Sequence, residues 1–154
     1  MFHIVLYQPE IPPNTGNIIR LCANTGCRLH LIQPLGFDMD DRKLRRAGLD
    51  YREWANVSVH ASLQSFVDDT APGRIWAVST RGSQSYSAVS YRQGDALLFG
   101  PETRGLPAAV LEELGADQVV RLPMVPQSRS LNLSNTVAAL VFEAWRQQDF
   151  VGGA

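Results

Sequence analysis

Three segments of the chain combine glycine, proline, asparagine and serine with a few charged side chains. They are residues 12–20 (PPNTGNIIR), 100–107 (GPETRGLP) and 122–135 (LPMVPQSRSLNLSN). Glycine lets a backbone come close to a ligand, and loops of this composition commonly carry function. Residues 11–37 and 118–142 contain no aspartate or glutamate but two arginines each. A ligand that bears phosphate would therefore meet least repulsion at the first and third segments.

Several familiar chemistries are excluded by what these segments lack. Gly100 and Gly105 have the spacing of a phosphate-binding P-loop, but no Lys-Ser/Thr pair follows them. No G-x-G-x-x-G follows the first predicted strand, and no G-x-S-x-G elbow is present. Cys22 and Cys27 have four residues between them and no second pair, so they indicate buried free thiols and no zinc site. The residues alone indicate a small α/β enzyme or binding protein with a Gly/Pro-rich ligand site.

The whole chain has the size and composition of one folded domain, residues 1–154. It is 45% hydrophobic and 19% charged with a net charge of −1, which excludes a disordered chain and a polycation that coats nucleic acid. Only Lys43 of the fourteen basic residues is a lysine, and arginine presents the planar fork that suits phosphate. With no targeting segment or membrane span predicted, we expect a cytoplasmic protein.

Alternating strands and helices must position the three segments. Short apolar runs predict strands at 2–7, 28–33, 57–60, 74–79, 96–99 and 119–122. Helices are predicted from a cap at Asn14 or Thr15 to Gly26, and over 40–48, 63–69, 107–114 and 134–148. This order predicts an α/β fold whose mostly parallel sheet is flanked by helices. Ligands of such sheets gather beyond the carboxyl ends of the strands, where two of the three segments begin.

The three segments together resemble the SPOUT superfamily of RNA methyltransferases. The motifs are P-x-N-x-G-N-I-x-R-x-C-A, L-F-G-P-E-x-R-G-L-P and R-L-P-M-V-P-x-S-R-S-L-N-L-S-N, and they occur in that order. The resemblance extends over almost the whole chain. It is greatest to the minimal bacterial enzymes that methylate the 2′-oxygen of cytidine or uridine at position 34 of tRNA.

The resemblance implies a cofactor, a topology and an assembly. The cofactor is S-adenosylmethionine, used without a metal, and the positions implied to hold it are Val78, Gly100, Leu122 and Ser130. Apolar walls and a close backbone at Gly100 would suit an adenine ring. The implied topology is a C-terminal trefoil knot, which sequence physics alone would not propose. The implied assembly is a homodimer, and the implied substrate is the anticodon loop of tRNA, with leucine isoacceptors expected.

Arg20 is the residue expected on the acceptor side. We expect it in the first turns of a helix, whose free N–H groups favour an anion, where it would hold a phosphate and stabilise a developing alkoxide. Arg45, Arg46 and Arg129 are candidates for phosphate contact, with Arg45 and Arg46 in the basic run 42–46. Weaker catalytic candidates are Glu102, which we expect to order the loops, and Asn135, for which capping of the last helix is the preferred role. The general base stays open between a phosphate oxygen, water and Glu102.

Three other functions remain open from sequence. A ribosomal RNA 2′-O-methyltransferase is the nearest, although such relatives tend to carry an extra domain. A non-catalytic RNA-binding module would lack cofactor affinity. A metabolic enzyme acting on a small molecule would show no RNA-dependent methyl transfer.

Overall fold

A computed structural model describes the backbone of residues 1–154 and every side chain except those of residues 41, 43 and 44. The strands are β1 His3–Tyr7, β2 Arg28–Ile32, β3 Val57–His60, β4 Ile75–Val78, β5 Gln84–Ser85, β6 Ala96–Phe99 and β7 Val119–Arg121. The helices are α1 Pro12–Thr25, α2 Asp41–Arg46, α3 Tyr51–Trp54, α4 Leu63–Thr70, α5 Ala108–Leu114 and α6 Leu133–Gln147. No helix in the described part of the chain is both long and apolar enough to cross a membrane.

The strands form one sheet in the order β3-β2-β1-β6-β4-β7-β5. Every neighbouring pair among them is parallel, which confirms the predicted α/β class. Alternate strand residues point to opposite faces, so Ile4 and Leu97 join α1 and α6 in one core, whereas Val5 and Leu98 join Phe66 of α4 in another. Helices on both faces leave the carboxyl ends of the strands as the place for a ligand.

Helix α1 begins earlier than predicted. Its first residue is Pro12, and the capping position Ile11 has no side-chain hydrogen bond, so the expected cap at Asn14 or Thr15 is wrong. Proline suits a first turn because the N–H that it lacks would have no partner within the helix. The side chains of Asn14 and Thr15 are buried inside the fold. The helix ends as predicted, because Gly26 takes the left-handed conformation with φ of 76°.

The predicted apolar stripe of α6 packs inside the protein. Val137, Leu140, Val141 and Ala144 are fully buried against the sheet. Asn132 caps the helix, since its side-chain oxygen accepts a hydrogen bond from the Ser134 N–H at 2.9 Å. The cap is therefore Asn132 and not Asn135, the expected capping residue, which is exposed in the first turn of α6.

The region between β2 and β3 contains a helix that the sequence pattern did not predict. Helix α3 is only four residues long and has no buried residue, so it shows no apolar periodicity. A capping box begins it, in which Asp50 and Glu53 each accept a hydrogen bond from the other's backbone N–H. The predicted basic run 42–46 lies in α2, but the side chains of Lys43 and Leu44, like that of Asp41, lie outside the described residues.

Three histidines form a hydrogen-bonded row across neighbouring strands. His3 Nδ1 lies 3.0 Å from His30 Nε2, and His30 Nδ1 lies 3.0 Å from His60 Nε2. His60 Nδ1 lies 3.5 Å from a carboxylate oxygen of Asp69, and Phe66 packs against all three rings. Their spacing along the chain predicted no relationship, because strand register alone brings them together.

Acid is expected to destabilise the fold through this row. Burial, reinforced by His3, His60 and Arg28, lowers the pKa of His30 from 6.5 to about 3. Below pH 6.5 the unfolded chain therefore binds a proton that the folded chain excludes, so stability falls as the pH drops from 6.5 towards 3. One such group accounts for about 1.4 kcal/mol per pH unit in that window. Urea unfolding over a range of pH measures the slope.

The matched variant is His30→Gln, which retains hydrogen-bonding atoms but cannot titrate. We expect it to unfold with a shallower dependence on pH than the wild type below pH 6.5. The quantity compared is the slope of the free energy of unfolding against pH for each protein. A loss of stability that is the same at every pH does not change this slope. Equal slopes would show that His30 does not control the acid sensitivity.

Candidate functional site

A cleft of about 470 Å³ opens at the carboxyl ends of β4, β6 and β7 and beside the start of α1. All three Gly/Pro/Asn-rich segments contribute to its wall. Val78, Gly100, Leu122 and Ser130, the four positions predicted to hold a cofactor, all line this one cleft. Its volume lies within the range of about 300–1,000 Å³ that is usual for small-molecule sites.

Two glutamates interlock the second segment with Glu10 and Ile11, the residues just before the first segment. The Glu102 carboxylate accepts hydrogen bonds from the backbone N–H groups of Glu10 at 2.9 Å and Ile11 at 2.7 Å. In return, the Glu10 carboxylate accepts from the N–H of Thr103 at 3.1 Å and from its hydroxyl at 2.7 Å. These bonds lower the pKa of Glu10. The contacts of Glu102 are those expected of a residue that orders the loops. Both short bonds fall on Oε2, whereas Oε1 accepts from the Glu10 N–H at 3.3 Å.

An amide pair ties the third segment to the first. The Asn132 side-chain N–H group donates to the Asn14 side-chain oxygen at 3.0 Å. Asn14 is only 5% exposed, and both residues line the cleft. Asn132 also accepts from the Ser134 hydroxyl at 2.6 Å. The cleft is therefore held by side chains from all three segments, whereas Asn135 is not among the residues that line it.

Glycine at position 100 is required by the backbone of its own segment, in addition to the predicted contact with a ligand. A Cβ atom there would lie 2.3 Å from the backbone nitrogen of Leu106 and 2.4 Å from the carbonyl carbon of Gly105. Real Cβ contacts are essentially never that short. Any side chain at position 100 would therefore push the backbone of Gly105 and Leu106 away. Gly100 permits this close turn of the cleft wall, where the sequence had suggested close approach of a ligand.

Arg20 does not line the cleft of its own chain. It lies in the middle of α1, not in the first turns as expected, about 9 Å along the axis from Asn14 and rotated by about 240°. Its side chain is 52% exposed and pairs with Glu53 at 2.9 Å, and it also donates to the backbone oxygen of Gly48. This pairing raises the pKa of Arg20, so the side chain stays a cation.

The other predicted RNA contacts occupy two places. Arg129 is exposed in the third segment, close in sequence to cleft-lining Ser130. Arg45 and Arg46 are exposed at the end of α2, and neither lines the cleft.

Some cleft residues were missed by the sequence reading. Ser79, Thr80 and Arg81 line the cleft directly after β4. The sequence pattern that could have identified them is a run of three hydrophilic residues directly after an apolar strand. Phe99, at the end of β6, also lines the cleft although its position predicted only core. Within the described residues, no group of three or more His, Cys, Asp or Glu side chains could hold a metal ion.

The fold and cleft define a class of protein. It is a small α/β protein with a ligand site at the carboxyl ends of parallel strands, walled by the loops of the second and third segments and by the start of α1. Residues 1–142 match the SpoU rRNA Methylase family. A tRNA (cytidine(34)-2'-O)-methyltransferase of Saccharophagus degradans is 61% identical over 152 residues, which cover 99% of each chain. The chain belongs to the SpoU rRNA methylase family.

Two solved structures extend the comparison. One, from work on 2′-OH methylation of C/U34 on tRNA, has a TM-score of 0.88 and 46% identity, with 97% of each chain covered. The other is an rRNA methyltransferase of Sinorhizobium meliloti with bound S-adenosylmethionine. It has a TM-score of 0.80 and 28% identity over 94% of this chain and 56% of that one.

Proposed function

We propose that this protein transfers a methyl group from S-adenosylmethionine to the ribose 2′-oxygen of cytidine or uridine 34 in the anticodon loop of tRNA, in leucine isoacceptors. The observation that carries the proposal is the convergence of Val78, Gly100, Leu122 and Ser130 on one cleft. Near full-length similarity to a tRNA (cytidine(34)-2'-O)-methyltransferase supports the substrate.

The cleft suits the cofactor chemically. Val78, Phe99 and Leu122 offer apolar walls for an adenine ring, and the backbone of the 100–107 segment together with Ser130 offers hydrogen-bonding groups. The bound cofactor supplies an activated methyl group on a sulfonium. We assign Val78, Gly100, Leu122 and Ser130 to holding it, and no metal is required.

The protein residues must orient the acceptor and accept its charge. The 2′-oxygen forms a bond to the methyl carbon while the carbon–sulfur bond breaks and the hydroxyl proton leaves. An arginine cannot take that proton at neutral pH, so Arg20 holds a flanking phosphate and stabilises the developing alkoxide. Arg45, Arg46 and Arg129 bind further phosphates. The base is a phosphate oxygen, water or Glu102, whose Oε2 already accepts two short hydrogen bonds.

We also propose that the chain is threaded as a trefoil knot behind the cleft. Strand β7 lies between β4 and β5, which follow each other in sequence, so the 79–83 connection has to cross β7. A Cβ on Gly82 would lie 2.6 Å from the carbonyl carbon of Val120, and the Ser79 N–H donates to the Val120 oxygen at 2.9 Å. This tight crossing, followed by the 122–132 segment, supports a passage of the chain through a loop.

A homodimer is expected, and sedimentation equilibrium at micromolar concentration measures it. Phe142, Phe150 and Val151 are about half exposed near the end of α6, and the Trp145 ring contacts both phenylalanine rings. Because Arg20 lies outside the cleft of its own chain, we place Arg20 of the partner subunit at the cleft. The expected mass is twice 17.0 kDa. A monomer that still methylates tRNA would contradict both statements.

The test of function uses tRNA from cells that lack this activity. Purified protein and S-adenosylmethionine should add one 2′-O-methyl group at nucleotide 34, located by mass mapping, with a chelator present. Leucine isoacceptors should be modified in preference to others. Methylation of ribosomal RNA alone would favour the alternative RNA substrate, and cofactor binding with no transfer to any RNA would overturn the proposal.

A further inference from the structure

A second hollow lies on the surface next to Arg20. Arg45, Gly48, Leu49, Asp50, Tyr51 and Trp54 line it, and its volume is about 520 Å³. Leu49 is buried, whereas the Tyr51 side chain is 70% exposed, the most open of the large apolar or aromatic residues described apart from Val125. The Tyr51 ring meets the Trp54 ring edge to face, with centroids 5.1 Å apart. The Tyr51 ring is therefore largely accessible to solvent, with Trp54 as its aromatic neighbour.

The hollow and Arg20 are joined through two residues. The Arg20 guanidinium donates to the backbone oxygen of Gly48, which lines the hollow, and pairs with Glu53 in α3. The capping box of α3 engages Asp50 with the N–H of Glu53 at 3.0 Å. Tyr51, the first residue of α3, is consequently fixed relative to the residue that we assign to the acceptor phosphate.

The charge around the hollow suits a nucleic acid. Arg42, Arg45, Arg46 and Arg52 are exposed within ten residues of Tyr51. Of the acids near the hollow, Asp50 and Glu53 are engaged in the cap and with Arg20. Asp38 and Asp40 precede the arginines in sequence and do not line the hollow. An exposed aromatic face bordered by arginines is the arrangement by which proteins stack an unpaired base and hold its backbone.

We propose that Tyr51 stacks an unpaired base of the tRNA anticodon loop while Arg45 contacts the adjoining phosphate. The proposal rests on the proposed function, since it places a neighbour of the methylated nucleotide in the hollow. Tyr51 is thus a substrate-binding residue outside the methyl-transfer cleft. Any base can stack on an aromatic ring, so Tyr51 would discriminate little among bases. Its contribution is to bind the anticodon loop and fix the loop's position on the protein.

The experiment measures binding and turnover with an anticodon stem-loop RNA and with whole tRNA. Tyr51→Ala should raise the dissociation constant roughly 5- to 150-fold, the range for loss of one stacked base. The KM for tRNA should rise similarly, with kcat at saturating tRNA within a few-fold of wild type. Tyr51→Phe and Tyr51→Trp should restore binding, and Tyr51→Leu, which fills the space without an aromatic face, should not.

A fluorescent base in the RNA reports stacking directly, and its signal would not change if Tyr51 had a purely structural role. The analogue 2-aminopurine, placed at each unpaired loop position in turn, should be quenched on binding at one position by wild type and Tyr51→Phe, but not by Tyr51→Leu. Arg45→Ala should weaken binding and flatten its dependence on salt. The matched control is Arg92→Ala, an exposed arginine in the turn before β6 that does not line the hollow, which should leave both unchanged.

The outcomes separate this proposal from the function on which it rests. If wild-type protein adds no methyl group at nucleotide 34, the proposed function fails. If wild type is active and Tyr51→Ala or Tyr51→Leu binds RNA as wild type does, only the stacking role fails. Equal loss in Tyr51→Phe and Tyr51→Ala, with an unchanged melting temperature and cofactor affinity, would show that the hydroxyl matters and overturn the stacking role.

Discussion

Arg20→Ala is expected to slow single-turnover methylation of tRNA by about 10²–10³-fold at saturating cofactor. Removal of one preorganised donor to a developing oxyanion costs about 2.7–4 kcal/mol of transition-state stabilisation. The side chain is half exposed on the surface of α1, so the fold and the cofactor affinity should be retained. Arg20→Lys should recover little activity, because an ammonium cannot make a two-pronged contact with phosphate.

Two comparisons distinguish this role from a structural one. Glu53→Gln removes the charge of the residue that pairs with Arg20 but leaves the arginine in place. If Arg20 only anchors α3, the two variants should lose activity alike; we expect Glu53→Gln to stay within a few-fold of wild type. Arg92→Ala controls for the loss of a surface arginine. An Arg20→Ala enzyme within a few-fold of wild type would remove Arg20 from the acceptor site.

Mixed dimers test where Arg20 acts. If Arg20 of the partner subunit completes each cleft, a dimer of one Arg20→Ala chain and one Gly100→Ala chain contains one intact site. Differently tagged chains, co-expressed and purified through both tags, should then recover activity that neither variant has alone. No recovery would place Arg20 and the cleft of the same chain in one site.

Gly100→Ala is expected to weaken S-adenosylmethionine binding by roughly 5- to 150-fold, measured by calorimetry. The added Cβ would lie 2.3 Å from the Leu106 nitrogen, and relieving such overpacking through a backbone shift costs about 1–3 kcal/mol. The shift would move Pro101 to Leu106 along the cleft wall. It would also disturb the hydrogen bonds of Glu102 and Thr103 with the first segment.

The control for this variant is another glycine with room for a methyl group. A Cβ on Gly16, in α1, would meet only the Ala47 Cβ, at 3.8 Å, which is an ordinary contact. Gly16→Ala should therefore bind the cofactor like wild type. A folded Gly100→Ala protein with unchanged affinity would show that the 100–107 segment does not form the cofactor site.

Local features of the sequence determined most of the elements. The apolar runs predicted six of the seven strands, and Gly26 and Ser62 correctly marked the end of α1 and the start of α4. Each of these strands and helix ends depends on residues a few positions apart in sequence. The conformational preferences of those residues do not require contacts with the rest of the fold. The two-residue β5 and the four-residue α3 are too short to show a period. The composition of the three segments marked the parts of the chain that wall the cleft, although residues 12–20 lie in α1 and form no loop.

Tertiary structure alone decided which residues meet. The Glu102 carboxylate accepts a hydrogen bond from the Glu10 N–H across 92 positions of sequence, and the histidine row exists only because of strand register. Arg20 was expected near the ligand, but the start of α1 at Pro12 and the turn of the helix place it on another face. The reason for Gly100 lies in the backbone of Gly105 and Leu106. Such contacts depend on sheet order and helix rotation, which are set by packing of the whole chain and leave no pattern in a short window of sequence.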